Sequence, residues 1–172
     1  MAPRIILIGP MGSGKTTIGV LLAEKMGATF RDTDQLIELD AGKSVSQIFL
    51  DEGEEAFRTV EKRVLRQELL SDGTVLALGG GAPISIDAQS ALRAISSYII
   101  FLDISLSTVA PRIGFNRDRP LLLDNPRGQW QKLMESRRPI YELLADLTVN
   151  VDGKSEDEIV DEVLAHHSQV NS

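Results

Sequence analysis

The stretch Gly9-Pro10-Met11-Gly12-Ser13-Gly14-Lys15-Thr16 decides the fold of this chain, and it directly follows the apolar run Ile5-Ile6-Leu7-Ile8. It has the form G-x-x-x-x-G-K-T, which is the phosphate-binding loop between a strand and a helix. Four branched apolar residues in a row are typical of a strand buried on both faces of a parallel sheet. Beyond Thr17, apolar residues recur at helical spacing as far as Gly27, a suitable C-cap.

The loop predicts a site for a nucleoside triphosphate and Mg²⁺. Its glycines allow backbone N–H groups to turn towards an anion, and the N-terminus of the helix adds partial positive charge. We expect Lys15 to reach the β- and γ-phosphates and the Thr16 hydroxyl to bind Mg²⁺. The motif does not name the second substrate.

The composition is that of an ordinary globular protein and predicts a single domain over residues 1–172, with 42% hydrophobic and 25% charged residues. The formal net charge of −7 argues against a nucleic-acid partner, because such proteins are usually basic. No apolar run approaches the roughly 20 residues of a membrane span, so we expect no membrane partner. The chain has no cysteine, and its N-terminus leads straight into the first predicted strand. We therefore expect a cytoplasmic protein, with a monomer as the default state.

Apolar runs of strand type alternate with amphipathic helical runs, a pattern that favours an α/β fold with a parallel sheet covered by helices. The predicted strands are residues 4–8, 29–31, 75–78, 98–102 and 147–151. The predicted helices are residues 15–26, 33–41, 45–50, 54–70, 87–95, 106–113, 127–145 and 156–167. Asp87 and Ser155 are the expected N-caps of two of them.

Two segments depart from this alternation. Residues 32–71 contain several predicted helices and no strand, which indicates a subdomain beside the sheet. Residues 114–126 are rich in Gly, Pro and Arg and contain Leu121-Leu122-Leu123, a composition that predicts a lid. Together with the phosphate loop, these segments describe a small-molecule kinase that closes over its substrates.

The run Asp32-Thr33-Asp34 ends the second predicted strand and opens a helix. The carboxyl ends of parallel strands border the ligand crevice, so both carboxylates are expected near the phosphate loop. One carboxylate would help to order hydrated Mg²⁺, and the other would accept a proton from an attacking hydroxyl. Helix capping by Asp32 or Thr33 is the alternative interpretation.

Three further groups are candidates for substrate binding. Arg58 and Glu61 are spaced as an ion pair on one helix, which in many proteins is only a solvated surface pair. The run Gly79-Gly80-Gly81 follows a strand, where glycines let a ligand approach the backbone, although a flexible loop has the same composition. Arginine is concentrated at four positions of this acidic chain, as if to face an anion: Arg117, Arg119, Arg137 and Arg138. Some of these arginines, Arg117 above all, suit a solvated basic face equally well. Trp130 is interpreted as a packing residue.

The combination of six motifs resembles the shikimate kinase family over almost the whole chain. The motifs are the phosphate loop, Asp32-Thr33-Asp34, Phe57-Arg58-x-x-Glu61, Gly79-Gly80-Gly81, Arg119-Pro120-Leu121-Leu122 and Arg137-x-Pro139-x-Tyr141. The resemblance implies a phosphate-loop kinase fold with a five-stranded parallel sheet of order 2-3-1-4-5 flanked by helices. It also implies phosphoryl transfer from ATP to the 3-hydroxyl of shikimate, a step towards chorismate and the aromatic amino acids.

The resemblance also implies a role for each matching residue. Asp34 would bind the ring hydroxyls, including the one attacked, and Arg58 and Arg137 would clamp the carboxylate. The residues that would hold shikimate are Asp34, Arg58, Gly79, Gly80, Gly81 and Arg137, with Glu61 behind Arg58. The residues that would hold ATP are Gly12, Ser13, Gly14, Lys15, Thr16, Thr17, Arg112 and Arg119. Mg²⁺ would be held by Thr16 and Asp32. Lys15 and Arg119 would stabilise the transferring phosphoryl group. The segment 152–155, part of the family's adenine pocket, departs from the family pattern.

Three other functions remain as alternatives. A kinase for another small acid, such as gluconate, would share the phosphate loop. A nucleotide-dependent switch of the GTPase type should carry N/T-K-x-D and D-x-x-G strings, and neither occurs in the sequence. A catalytically inactive homologue is disfavoured by the intact Lys15, Thr16, Asp34 and Arg119.

Overall fold

The computed structural model describes residues 2–113 and 125–172, and that part of the chain forms five strands and eight helices. The strands are β1 (Ile5–Ile8), β2 (Thr29–Asp32), β3 (Thr74–Ala77), β4 (Tyr98–Asp103) and β5 (Leu147–Asn150). Each predicted strand is present, and its ends lie within one residue of the prediction.

The helices also match the predicted ones. They are α1 (Lys15–Met26), α2 (Thr33–Ala41), α3 (Val45–Glu52), α4 (Glu54–Glu68), α5 (Ile86–Arg93), α6 (Leu106–Ile113), α7 (Pro126–Leu144) and α8 (Glu156–Val170). Gly27 ends α1 in the left-handed conformation at φ 62°, as predicted. Among the described residues, no helix is both long and apolar enough to cross a membrane.

All five strands run parallel in the order β2-β3-β1-β4-β5, which confirms the predicted fold. β1 lies at the centre, with Ile5 opposite Val75 on one side and Tyr98 on the other. Its four residues are fully buried, because helices cover both faces of the sheet. The phosphate loop thus extends from the most enclosed strand of the molecule.

One predicted helix cap is wrong. Asp87 is not the N-cap of α5, because the helix begins one residue earlier and Ser85 caps it by accepting a hydrogen bond from the Ala88 N–H. Asp87 lies in the first turn, where its negative charge complements the helix dipole. Ser155 caps α8 as predicted, accepting from the Glu158 N–H.

Three helices, α2 to α4, lie between β2 and β3 and share a small apolar cluster of their own. This cluster is built on Ile37, Ile48, Phe57 and Val64. It is separate from the main core around the sheet. The helices therefore hold one another at the edge of the sheet, since β2 is an edge strand.

The predicted lid, residues 114–126, lies outside the described residues except for Asn125 and Pro126. Asn125 is the N-cap of α7 in a left-handed conformation at φ 49°, and its side chain accepts from the Gly128 N–H.

Candidate active site

Every described residue to which the family resemblance assigns a role lines one cleft at the carboxyl edge of the sheet. The cleft has a volume of about 1010 Å³. The parallel strands bring three segments together there: the phosphate loop after β1, Asp32-Thr33-Asp34 at the end of β2, and Gly79-Gly80-Gly81 just beyond β3. Arg58 and Glu61 contribute from α4, Arg112 from α6 and Arg137 from α7. Arg119 lies outside the described residues.

The phosphate loop carries an unusual buried hydroxyl. Ser13 is 2% exposed, and its Oγ has no hydrogen-bond partner within the described structure. Lys15 Nζ donates to the carbonyl oxygens of Gly9 and Pro10, each at 2.9 Å, and so lies over the loop. Buried polar groups are normally paired, so an unpaired hydroxyl in this loop fits a site that receives an anion.

Asp32 caps a helix and also contacts the phosphate loop. Its Oδ1 accepts from the backbone N–H groups of Asp34 and Gln35 and thereby caps α2. Its Oδ2 accepts from Thr16 Oγ1 at 2.9 Å. Capping thus fixes the carboxylate beside the threonine of the phosphate loop, and the two side chains present oxygen atoms of the kind that Mg²⁺ prefers.

Thr33 is not the cap of α2, a role that Asp32 takes, and it instead joins two segments of the site. It is fully buried, and its Oγ1 accepts from the Gly79 N–H at 2.9 Å. This hydrogen bond ties the end of β2 to the glycine run after β3. A buried threonine between two carboxylates was the available signal, because its hydroxyl needs a partner.

Each glycine of the run 79–81 lies against a different charged side chain of the site. A Cβ on Gly79 would lie 2.5 Å from Asp34 Oδ1, and one on Gly81 would lie 2.4 Å from Arg58 Nη1. A Cβ on Gly80 would lie 3.3 Å from Arg137 Nη1. A side chain at Gly79 or Gly81 would displace Asp34 or Arg58, and one at Gly80 would lie in tight contact with Arg137. The run is therefore the floor on which Asp34, Arg58 and Arg137 converge.

Arg58 is held by a buried carboxylate. Glu61 is 4% exposed, and its Oε1 accepts from Arg58 Nη1 at 2.8 Å. Burial raises the pKa of Glu61, while the charges of Arg58 and Arg137 act in the opposite direction. The pair is therefore part of the site and not a solvated surface pair.

Burial raises the pKa of Asp34 to about 6, and the negative charges of Asp32 and Glu61 add to the effect. The positive charge of Lys15 opposes this rise in pKa, so the phosphate loop and Asp34 interact electrostatically. A carboxylate with a raised pKa is the type of group that accepts a proton near neutral pH.

The remaining arginines of the prediction have different surroundings. Arg112 Nη1 donates to the Gly12 carbonyl at 2.9 Å, so it lies beside the phosphate loop. Arg138 pairs with Asp103 at 2.7 Å and joins α7 to the end of β4. Arg138 therefore links two elements of the fold. The sequence alone allowed two interpretations, an anion-binding residue or a residue of a solvated basic face. Arg117 lies outside the described residues.

Two aromatic residues of α7 contact the site through polar atoms. Trp130 Nε1 donates to the Met11 carbonyl at 2.9 Å, and the Tyr141 hydroxyl donates to the Gly80 carbonyl at 2.6 Å. Trp130 does pack in the core, as predicted, but the prediction missed its hydrogen bond. The signal was chemical: a buried Trp or Tyr usually finds a partner for its polar atom.

The fold and the cleft define a phosphate-loop kinase of the small-molecule type. The family model described as shikimate kinase matches residues 11–168. The chain belongs to the shikimate kinase family, as its motifs indicated.

Known proteins of this family are similar over nearly their whole length. The chain is 45% identical to the shikimate kinase of Streptomyces coelicolor, across 95% of this chain and 94% of the relative. It is 44% identical to that of Salinispora arenicola, across 96% and 98%. A structure of the shikimate kinase of Acinetobacter baumannii in complex with shikimate matches with a TM-score of 0.91 at 33% identity, across 96% of this chain and 92% of that one. A gluconokinase of Sinorhizobium meliloti, at 21% identity and a TM-score of 0.63, shares the fold alone.

The raised pKa of Asp34 predicts a pH-dependent stability difference for Asp34→Asn. Between about pH 4 and pH 6 the folded protein holds this proton more tightly than the unfolded chain, so the free energy of unfolding falls as the pH rises through that window. The asparagine does not ionise, so the variant does not lose this stability as the pH rises. We expect it to be more stable than the parent protein above pH 6.5, by on the order of 1–2 kcal/mol, and to lose that advantage near pH 4.

Urea unfolding of the ligand-free protein in EDTA measures this difference at several pH values. Asp72→Asn, at an exposed carboxylate before β3, serves as the control and should show no pH-dependent gain. An Asp34→Asn variant that is less stable than the parent at pH 7.5, or whose advantage is independent of pH, contradicts the prediction.

Proposed function

We propose that this protein transfers the γ-phosphoryl group of ATP to the 3-hydroxyl of shikimate, giving shikimate 3-phosphate and ADP on the route to chorismate. The observation that carries the proposal is the convergence of Asp34, Arg58 and Arg137 on the glycine run 79–81, in the same cleft as the phosphate loop. Membership of the shikimate kinase family supports the identity of the substrates.

The nucleotide side of the proposal rests on the phosphate loop. The triphosphate would take up the loop's backbone N–H groups, the unpaired Ser13 hydroxyl and Lys15, with Gly12, Gly14 and Thr17 around it. Arg112, which lines the same cleft beside Gly12, would face the nucleotide.

Thr16 and Asp32 would hold Mg²⁺, and their oxygen atoms, joined by a 2.9 Å hydrogen bond, fit a hard cation. When bound, this ion supplies charge neutralisation at the phosphates. Asp32 is already fixed by its capping hydrogen bonds, so it requires little reorganisation to serve.

Shikimate is the small acid that the other half of the cleft suits. Arg58 and Arg137 would clamp its carboxylate, because the planar guanidinium group matches a carboxylate in two-point geometry. Glu61 would keep Arg58 in position. A neutral sugar would leave the two arginines without an anion, which disfavours it.

Asp34 would orient the attacking hydroxyl and accept its proton. An alcohol is too weak an acid to be deprotonated beforehand, so the proton transfer would come late, as the bond to phosphorus forms. Lys15, whose charge already reaches Asp34, would stabilise the transferring group. Positioning and charge neutralisation then account for most of the rate, as in other phosphoryl transfers.

The finer organisation of the protein also remains a proposal. We propose that helices α2 to α4 form the substrate-binding subdomain, 32–71, of a single domain, and that residues 114–126 form a lid that brings Arg119 to the phosphates. The contacts of the flanking helices support the lid, since α6 contacts Gly12 through Arg112 and α7 contacts Met11 through Trp130.

We further propose that the protein is a cytoplasmic monomer. Size-exclusion chromatography with light scattering tests the oligomeric state.

Release of ADP tests the proposed reaction. With ATP and Mg²⁺, the purified protein should release ADP when shikimate is added, and neither gluconate nor buffer alone should replace it. EDTA should abolish the reaction. Asp34→Asn, which keeps the shape and removes the charge, should lower kcat at least about 10²-fold. ADP release that is independent of shikimate, or a folded Asp34→Asn variant with unchanged kcat, contradicts the proposal.

The arginine clamp predicts a selective loss of shikimate binding. Arg58→Ala and Arg137→Ala should each weaken it by about 2–5 kcal/mol, the range for truncating one partner of a buried charge pair. Gly81→Ala should raise the KM for shikimate by less, because its methyl group displaces the Arg58 guanidinium without deleting it.

Arg63→Ala on the same helix is the matched control, since Arg63 pairs with Asp40 at the surface. It should leave both KM values unchanged. Steady-state kinetics with each substrate varied in turn separates the outcomes. Equal losses of ATP and shikimate affinity in the Arg58 and Arg137 variants would point to general damage and not to a clamp.

A further inference from the structure

Tyr141 is buried directly behind the predicted substrate floor. Its side chain is 0% exposed, its ring packs on Phe101 with centroids 5.1 Å apart, and its hydroxyl donates to the Gly80 carbonyl at 2.6 Å. Burial raises the pKa of Tyr141 to about 12, so the hydroxyl stays protonated at working pH and acts as a hydrogen-bond donor.

The same hydroxyl also lies next to Arg137, one turn earlier on α7. The point where Gly80 would carry a Cβ is 3.6 Å from the Tyr141 hydroxyl and 3.3 Å from Arg137 Nη1. Arg137 lowers the pKa of Tyr141 by its charge and by hydrogen bonding, in opposition to burial. Tyr141 thus contacts the backbone of the glycine run and lies close to Arg137 at Gly80.

The other end of α7 has a separate contact with the phosphate loop. Trp130 is 4% exposed, and its Nε1 donates to the Met11 carbonyl at 2.9 Å. Arg112 donates to the next carbonyl, that of Gly12, from α6. Two successive carbonyls of the loop are thus fixed from outside it.

We propose that Tyr141 and Trp130 are positioning residues, each serving one substrate of the proposed reaction. Tyr141 fixes the Gly80 carbonyl, beside the Arg137 guanidinium, for the acid substrate. Trp130 fixes the backbone of the phosphate loop at Met11 for the nucleotide. The inference rests on the proposed function, since it assigns the two subsites to shikimate and ATP.

Each contact is removed by one conservative substitution. Tyr141→Phe keeps the ring against Phe101 and deletes only the hydroxyl, which leaves the Gly80 carbonyl beside Arg137 without its donor. Trp130→Phe keeps an aromatic ring in the core and deletes the N–H donor to Met11. Neither change touches Lys15, Thr16, Asp34 or Arg58.

The two variants should give opposite kinetic signatures. Tyr141→Phe should raise the KM for shikimate about tenfold, equivalent to about 1.4 kcal/mol, with the KM for ATP unchanged. Trp130→Phe should raise the KM for ATP about five- to tenfold, with the KM for shikimate unchanged. Leu143→Ala, at an exposed position on the same helix, is the control and should change neither.

Steady-state kinetics with one substrate varied and the other saturating provides the test. The KM does not depend on the fraction of enzyme that is folded, so a loss of stability in either variant lowers the apparent kcat and leaves the KM readout valid. Isothermal titration calorimetry with shikimate or ATP checks the affinities directly. It is preferred to fluorescence because Trp130 is the only tryptophan.

Two results would overturn the inference. One is an unchanged KM for the assigned substrate in either variant, and the other is an equal rise of both KM values in both variants, which a purely structural role of α7 would produce. Both results are read against a parent protein that shows shikimate-dependent ADP release. A parent protein without this activity would contradict the proposed function itself. An active parent with either result above would contradict only the positioning roles of Tyr141 and Trp130.

Discussion

The close approach of charged side chains to the backbone at Gly79-Gly80-Gly81 is the constraint on which the rest of the site depends. Asp34 Oδ1 and Arg58 Nη1 lie where the Cβ atoms of Gly79 and Gly81 would otherwise be. The Asp34 carboxylate from α2 and the Arg58 guanidinium from α4 can lie this close to the backbone because Gly79 and Gly81 carry no Cβ. The fold satisfies the constraint by placing the run at the carboxyl end of β3, between β2 and β1.

The same convergence brings like charges together in a buried space. Asp34 shares the cleft with Asp32 and Glu61, and burial together with their charges raises its pKa. Lys15 offsets part of this cost at Asp34, and Arg58 and Arg137 offset part of the cost at Glu61. Ligands that bring a carboxylate and phosphates would complete the charge balance. Buried like charges of this kind lower the stability of the folded protein, as is common at functional sites.

The strands and the phosphate loop could be predicted from the sequence because local patterns determine them. The apolar run of β1 and the following phosphate loop need no tertiary information, and strand ends were correct within one residue. The resemblance supplied the order of the sheet, which periodicity alone does not encode. The contacts of Thr33, Trp130 and Tyr141 were not predicted, since each joins segments distant in sequence, such as Tyr141 and Gly80. The cap of α5 was assigned to Asp87 because Asp and Ser are both good N-caps, and only the path of the chain selects Ser85.

Helix α7 helps to hold the loops after β1 and β3 in a defined position relative to each other. Backbone loops at strand ends have few internal hydrogen bonds, so their carbonyls need partners from elsewhere. Trp130 provides one partner to the loop after β1, and Tyr141 provides one to the loop after β3. Arg138 ties the same helix to Asp103 at the end of β4. Helix α7 therefore contacts the loops after β1 and β3 and the end of β4, and it helps to set the separation between the phosphate loop and the glycine run. In-line phosphoryl transfer requires that kind of fixed separation, since misplacing the reacting groups by about 1 Å costs on the order of 10²-fold in rate.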